Sequence, residues 1–252
     1  MIDVHAHFAE EGYTFPDEWE KIQAAGVRTV ILAGDNVPHS QMHRDFCLTR
    51  DGAYFCAGIH PLEANAGGEI SVEPLRELLQ DNKCVALGEI GLDYHYPDTN
   101  KAAQRELFLK QILLADEFSL PVQIHSRESA ADMLAILTEM KAHFQNGFLL
   151  HCYSHGADML PRFAELGSYF SFGGVSCFKN AKNVWESVQA CPLDRILSET
   201  DSPYLSPVRG EKNTPANIPV ITARLAELKV LPLEEMENRI EENAKRLFPK
   251  LK

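Results

Sequence analysis

Cys84-Val-Ala-Leu-Gly-Glu89 and Pro121-Val-Gln-Ile-His125 are two short apolar runs, each ending on a residue that can bind a proton or a metal. Between them, Lys101–Ser119 carries Phe108, Ile112 and Ala115 at helical spacing, and Leu107, Leu114 and Phe118 widen the same stripe. A strand, an amphipathic helix and a second strand in that order form a βαβ unit, which makes the two strands parallel. Non-alternating apolar strands of this kind are buried on both faces.

The same rhythm extends in both directions. Strand-like runs fall at Ile2–His5, Arg28–Leu32, Tyr54–Ile59, Gly147–His151, Ser168–Phe172 and Arg195–Ser198, making eight with the first two. Ser129–His143, Asn217–Val230 and Leu233–Phe248 read as further helices, the last with Pro232 near its start. Eight βα units in 252 residues predict an α/β fold, a closed TIM-type (β/α)8 barrel, over an open doubly wound sheet. Neither a linker nor a low-complexity segment interrupts the rhythm, so residues 1–252 are expected to form one domain.

Composition bounds the function. Apolar residues make up 45% and charged residues 24% of the chain, as in ordinary globular proteins. Six scattered cysteines without a CxxC pair, and no secretory leader or membrane-length apolar run, predict a soluble cytoplasmic protein with reduced thiols. The net charge of −12 argues against tight duplex binding through a broad basic face. It leaves room for a phosphate substrate, because metal ions in a cleft reverse the local sign. No obligate protein partner is evident.

Polar residues cluster where the strands end. His5 and His7 close the first run, His60 follows the third, Glu89 ends the fourth, His125 the fifth and His151 the sixth, and Asp201 lies just past the eighth. Barrel active sites gather at the C-terminal strand ends, so these residues are expected in one cleft. His5 and His7, at i and i+2, face the same side of an extended chain. A buried carboxylate at a strand end is costly unless a cation or hydrogen bonds compensate. Four histidines and two carboxylates suffice for two ions if one carboxylate bridges, and two ions about 3.5–4 Å apart can clamp the attacking and leaving oxygens of a phosphoryl displacement. Glycines flank Glu89, the candidate bridge, and Arg127 can place a guanidinium on a phosphate oxygen. No GxxxxGK[ST] phosphate loop or GxSxG elbow is present. Cys152, beside His151, is a poor nucleophile candidate because adjacent strand residues point to opposite faces.

Together these segments resemble the TatD family of metal-dependent deoxyribonucleases within the amidohydrolase-like barrels. The matching motifs run in order from Ile-Asp-Val-His-Ala-His (2–7) through Gly-Ile-His-Pro (58–61), Gly-Glu-Ile-Gly-Leu-Asp-Tyr (88–94) and Pro-Val-Gln-Ile-His-Ser-Arg (121–127). They continue with His-Cys-Tyr-Ser (151–154), Glu-Thr-Asp-Ser-Pro-Tyr-Leu (199–205), Asn-Thr-Pro-Ala-Asn-Ile-Pro (213–219) and Asn-Ala-Lys-Arg-Leu-Phe (243–248). The resemblance implies that His5, His7, Glu89 and Asp201 hold one divalent ion and Glu89, His125 and His151 a second, the metal being zinc, magnesium or manganese. It implies a metal-activated water that Asp201 orients or deprotonates, phosphate contacts from His60 and Arg127, support from Glu199, and a cleft rim near Asn213 and Pro215. The implied activity is 3'-5' exonuclease cleavage of single-stranded DNA or another phosphodiester. Such an enzyme grips only a strand end, which suits an acidic protein, and Tyr94, Tyr153 and Tyr204 are candidates to stack on a terminal base.

Two features depart from the pattern and bear on substrate access. His155 stands where glycine commonly follows the serine or threonine, and the Phe8–Pro16 loop lacks the usual leucine-aspartate continuation. Two rival readings use the same barrel. One is an amidohydrolase cutting a C–N bond or a lactone; such enzymes often bridge their metals with a carboxylated lysine at the end of strand four, where this chain has Glu89 and no lysine between Lys83 and Lys101. The other is a barrel that binds without catalysing.

Overall fold

A computed structural model describes residues 1–8, 15–68 and 70–251. Its strands are β1 (Ile2–Ala6), β2 (Thr29–Ala33), β3 (Ala53–Ala57), β4 (Cys84–Asp93), β5 (Val122–Arg127), β6 (Phe148–Leu150), β7 (Ser168–Phe172) and β8 (Ile196–Ser198). They lie side by side in chain order, and each consecutive pair is parallel. The helices are α1 (Phe15–Ala24), α2 (Val37–Leu48), α3 (Leu75–Leu79), α4 (Lys101–Glu117), α5 (Ala130–Glu139), α6 (Leu160–Glu165), α7 (Lys182–Ala190), α8 (Ile218–Lys229) and α9 (Leu233–Leu247). This is the (β/α)8 barrel that the alternation predicts.

The seam between β8 and β1 is stitched partly by side chains. The Ser198 hydroxyl donates to the Ile2 carbonyl at 3.0 Å, and the Thr200 amide and hydroxyl both donate to the buried Asp3 carboxyl. The Asp201 amide donates to the His5 carbonyl at 2.9 Å, and the His7 amide to the Ser202 carbonyl at 2.7 Å. The first and last strands are thereby fixed against each other at the mouth.

Where observed boundaries differ from the sequence reading, backbone partners explain the difference. β4 runs on to Asp93 because Ile90–Asp93 keep pairing with β5. β3 stops at Ala57 because the Ile59 amide and carbonyl are taken by the Gln111 side chain, at 2.8 and 2.9 Å. Ser129–His143 divides into α5 and a separate 3₁₀ turn, Lys141–His143. On α4 the apolar residues Phe108, Ile112 and Ala115 are fully buried. Gln104 and Gln111, two turns apart on that helix, are equally buried. Gln104 grips both the amide and the carbonyl of Asp93, at 2.8 and 3.0 Å. The helix thus clamps the mouth ends of β3 and β4 with amides, not only with apolar packing. Among the described residues no helix is long and apolar enough to cross a membrane.

Candidate metal centre

Glu89 sits at the middle of the barrel mouth, 3% exposed, and its two oxygens face different histidine pairs. Oε2 lies 3.4 Å from His5 Nε2 and 3.5 Å from His7 Nε2. Oε1 lies 2.8 Å from His125 Nδ1 and 2.7 Å from His151 Nε2. Asp201 joins the first pair only, with Oδ1 3.5 Å from His7 Nε2 and 3.9 Å from His5 Nε2. The six residues proposed as ligands from the sequence therefore meet in one place, at the ends of β1, β4, β5, β6 and β8. Alternation along β1 turns His5 inward, and His7 just beyond it shares that side.

The acceptor behind each ring fixes where its proton sits, since a carbonyl oxygen only receives a hydrogen bond. His5 Nδ1–H donates to Gln123 Oε1 at 2.8 Å, and the Gln123 amide is oriented by its own donation to the Val4 carbonyl at 2.8 Å. His7 Nδ1–H donates to the Ala33 carbonyl at 3.0 Å and lies 3.1 Å from Asp35. Both rings then present a lone pair at Nε2, and these two nitrogens are 3.1 Å apart. At the second pair, His125 Nε2–H donates to Asp93 Oδ2 at 3.1 Å, which leaves Nδ1 facing His151 Nε2 at 3.3 Å. His151 Nδ1, buried without a hydrogen-bond partner, points toward Glu199 Oε2 at 3.7 Å. Lone pairs this close repel unless a cation lies among them. The donor chemistry fits metal ions.

The electrostatics agree. Burial raises the Glu89 carboxyl pKa, but His151, His5, His60 and the hydrogen bond from His125 outweigh it and hold the group well below the usual carboxylate range. Burial lowers the His7 and His151 pKa values, while Asp35 and Asp201 around His7, and Glu89 and Glu199 around His151, push both well above the ordinary value. The field at this spot favours positive charge on or between the rings.

His60 is placed differently. It caps the turn Pro61–Ala66, its Nδ1 accepting the Leu62 amide at 3.3 Å. The proton must then lie on Nε2, which is 3.7 Å from Glu89 Oε1. Burial pushes its pKa down to about 4, so the ring stays neutral. It offers a hydrogen-bond donor to the cleft and no lone pair. Arg127, the last residue of β5, shares the His125 side of the strand and is exposed, its guanidinium 6.0 Å from the Tyr96 ring centre.

Several participants escaped the sequence reading. Asp35 ends β2 and bridges His7 Nδ1 (3.1 Å) and His39 Nδ1 (3.0 Å). The strand-end rule that found Glu89 would have found it. Gln123 and Asp93 lay inside quoted motifs, but their roles as acceptors behind His5 and His125 depend on register. His43, fully buried on α2, has neither ring nitrogen hydrogen-bonded and packs against Phe8, with centroids 4.7 Å apart.

Other expectations change in detail. Cys152 is not on a strand: β6 ends at Leu150, and Cys152 occupies a left-handed turn with φ of 43°. Burial, with Glu199 and Asp201 nearby, pushes its thiol pKa well up, so it remains a poor nucleophile for a different reason. His155 does not alter the cleft wall directly; its Nε2 bonds the Ser126 hydroxyl at 2.7 Å, on the side of β5 opposite His125. Asn213 is buried and ties down the loop after β8, donating through its side chain to Thr200 and its amide to Pro203. Pro215 is likewise buried. Residues 9–14, most of the Phe8–Pro16 loop, lie outside the described residues.

Comparison with known proteins places this geometry. The TatD related DNase family model matches residues 2–249. A Bacillus subtilis protein, the uncharacterized metal-dependent hydrolase YabD, is 36% identical, with 98% of each chain covered. The 3'-5' ssDNA/RNA exonuclease TatD of Klebsiella pneumoniae is 29% identical, covering 90% of this chain and 89% of that one. The crystal structure of YjjV, a TatD homolog from Escherichia coli, superposes with a TM-score of 0.91 at 28% identity, over 99% of this chain and 98% of that one. With a family match across the chain and a relative above 30% identity aligned end to end, this protein belongs to the TatD family of metal-dependent hydrolases.

Proposed function

We propose that residues 1–252 act as one phosphodiesterase domain that removes nucleotides from the 3' end of single-stranded DNA. The observation that carries this is the division of Glu89 between two histidine pairs, which suits two ions side by side, the arrangement used to clamp both oxygens of a phosphoryl displacement. His5, His7, Asp201 and Glu89 Oε2 would hold one ion, and His125, His151 and Glu89 Oε1 the other. Four imidazoles suit zinc or manganese better than magnesium, which prefers oxygen ligands. When bound, the ions supply charge neutralisation and make water acidic enough to attack at neutral pH.

The chain's own residues do the rest. Asp201 is 15% exposed at the side chain, open enough to accept the proton of the attacking water at Oδ1. His60 donates Nε2–H to a non-bridging phosphate oxygen, and Arg127 meets the phosphate from the rim. The exonuclease direction rests on kinship with the Klebsiella enzyme whose name states it.

The test is metal-dependent turnover of single-stranded DNA labelled at either end, beside bis(p-nitrophenyl) phosphate, with chelated protein as control. Metal-restored shortening from the 3' end is the expected result. Cleavage of the small diester alone would overturn the DNA assignment and keep the chemistry, whereas silence on both with metal bound would shift the substrate to amides or lactones.

A further inference from the structure

Of the three tyrosines near the site motifs, two are committed elsewhere. Tyr153 is 3% exposed and stands edge-on to Phe163, Phe170 and Phe172. Tyr94 donates its hydroxyl to Asp132 at 2.9 Å, and the Lys101 ammonium covers its ring at 4.2 Å. Tyr204 is different. Its ring is 48% exposed, yet its centroid lies only 6.4 Å from that of His7, at an interplanar angle of 66°.

The segment that presents this ring is firmly held. Two non-glycine residues in the left-handed region bracket it, Asp201 at φ 55° and Leu205 at φ 53°. The Tyr204 amide donates to the Asp201 carbonyl, and the Asn213 amide to the Pro203 carbonyl, at 2.9 and 3.0 Å. Behind it, a side chain at Gly174 would strike the Leu205 carbonyl, with a Cβ only 1.9 Å away. Backbone strain of this kind persists where surrounding contacts over-determine it, and it clusters at ligand clamps. Leu205 beside it is 38% exposed, which extends the apolar face.

We propose that the outer face of Tyr204, with Leu205, is a nucleobase subsite: it stacks the base of the nucleotide whose phosphate lies at Glu89 and Asp201. This deepens the phosphodiesterase reading and rests on it. An aromatic face accepts any base, because every base has a π-face, so the subsite gives affinity without sequence preference. Edge-on contact with His7 leaves the ring faces available and ties base position to the centre that holds the phosphate.

The test compares two single-stranded oligonucleotides, one ordinary and one with an abasic tetrahydrofuran residue at the terminal nucleotide, in the wild type, Tyr204→Ala and Tyr204→Trp. Stacking is worth roughly 5- to 150-fold. The wild type should prefer the base-bearing end by about that factor in kcat/KM, mainly through KM. In Tyr204→Ala the preference should collapse toward one, and Tyr204→Trp should restore it. Equal losses on both substrates, or an undiminished preference in Tyr204→Ala, would overturn the subsite and leave the phosphodiesterase standing. Absence of cleavage of either substrate by metal-loaded wild type would instead remove the phosphodiesterase reading, and the subsite with it.

Discussion

Behind each proposed imidazole ligand stands an acceptor, and the one behind His5 is an uncharged amide. Replacing Gln123 by Leu should leave the ring in place but free its tautomer and orientation. Loss of such a partner typically weakens metal binding about 10–100-fold, and titration against a chromophoric chelator would measure it; affinity equal to wild type would mean that Gln123 only fills space. His43 supplies a prediction about acidity. Burial holds its pKa at about 3, against an ordinary 6.5, with both nitrogens unpartnered. Between these values the unfolded chain takes up a proton that the folded chain refuses, so stability from this residue is complete above 6.5 and is lost as pH falls toward 3. His43→Leu should shrink the drop in urea midpoint between pH 7 and pH 5. It should also add about 1–3 kcal/mol at pH 7 by removing unsatisfied buried nitrogens. An identical pH drop in both proteins would count against this account. At this scale much of the site was legible, because histidines and carboxylates ending apolar runs announce themselves. Gln123 and Asp93 did not, since an acceptor is defined by what stands across from it, and His43 looks in sequence like any other helix histidine.

Among the elements, β4 carries the heaviest geometric demand. Past Glu89 it stays paired to β5 down to the Asp93–Arg127 register, and Gly91 makes this possible. At φ 144° it places its missing Cβ 2.0 Å from the His125 carbonyl. Gly91→Ala should therefore push β4 and β5 apart at the point where Glu89 and His125 meet. The expected cost is on the order of 3 kcal/mol in denaturation, together with reduced metal retention; a variant of normal stability and metal content would show that the strands yield freely. The eight strands and the longest helices were readable because periodicity and length survive in sequence. Their ends were less so. β3 stops early through Gln111 on a helix fifty residues away, and no local pattern records such a partner.

Over the whole molecule, metal and fold are coupled. Ions that bind only the assembled mouth stabilise the native state by mass action. Saturation to a hundredfold over Kd should raise Tm by about 5–10 °C above the chelated protein, and scanning calorimetry with and without chelator would settle it; unchanged Tm with metal bound would mean that the ligands stay clustered after unfolding. The β8–β1 seam should share in this coupling. Thr200→Val removes the hydroxyl that reaches the buried Asp3, at a cost of about 1–3 kcal/mol. Because His5 and Asp201 face each other across that seam, metal affinity should fall along with stability. A variant that loses stability alone would uncouple the two.

The seam also has a meaning in time. His5 and His7 leave the ribosome near the beginning of synthesis, and Asp201 follows only after seven strands have been made. Half of the first ion's anionic partners are thus missing until β8 docks, so a nascent or half-folded chain offers incoming cations scattered imidazoles and no finished cage. Tight loading becomes a certificate of completed assembly, and cleavage chemistry stays dormant in every precursor.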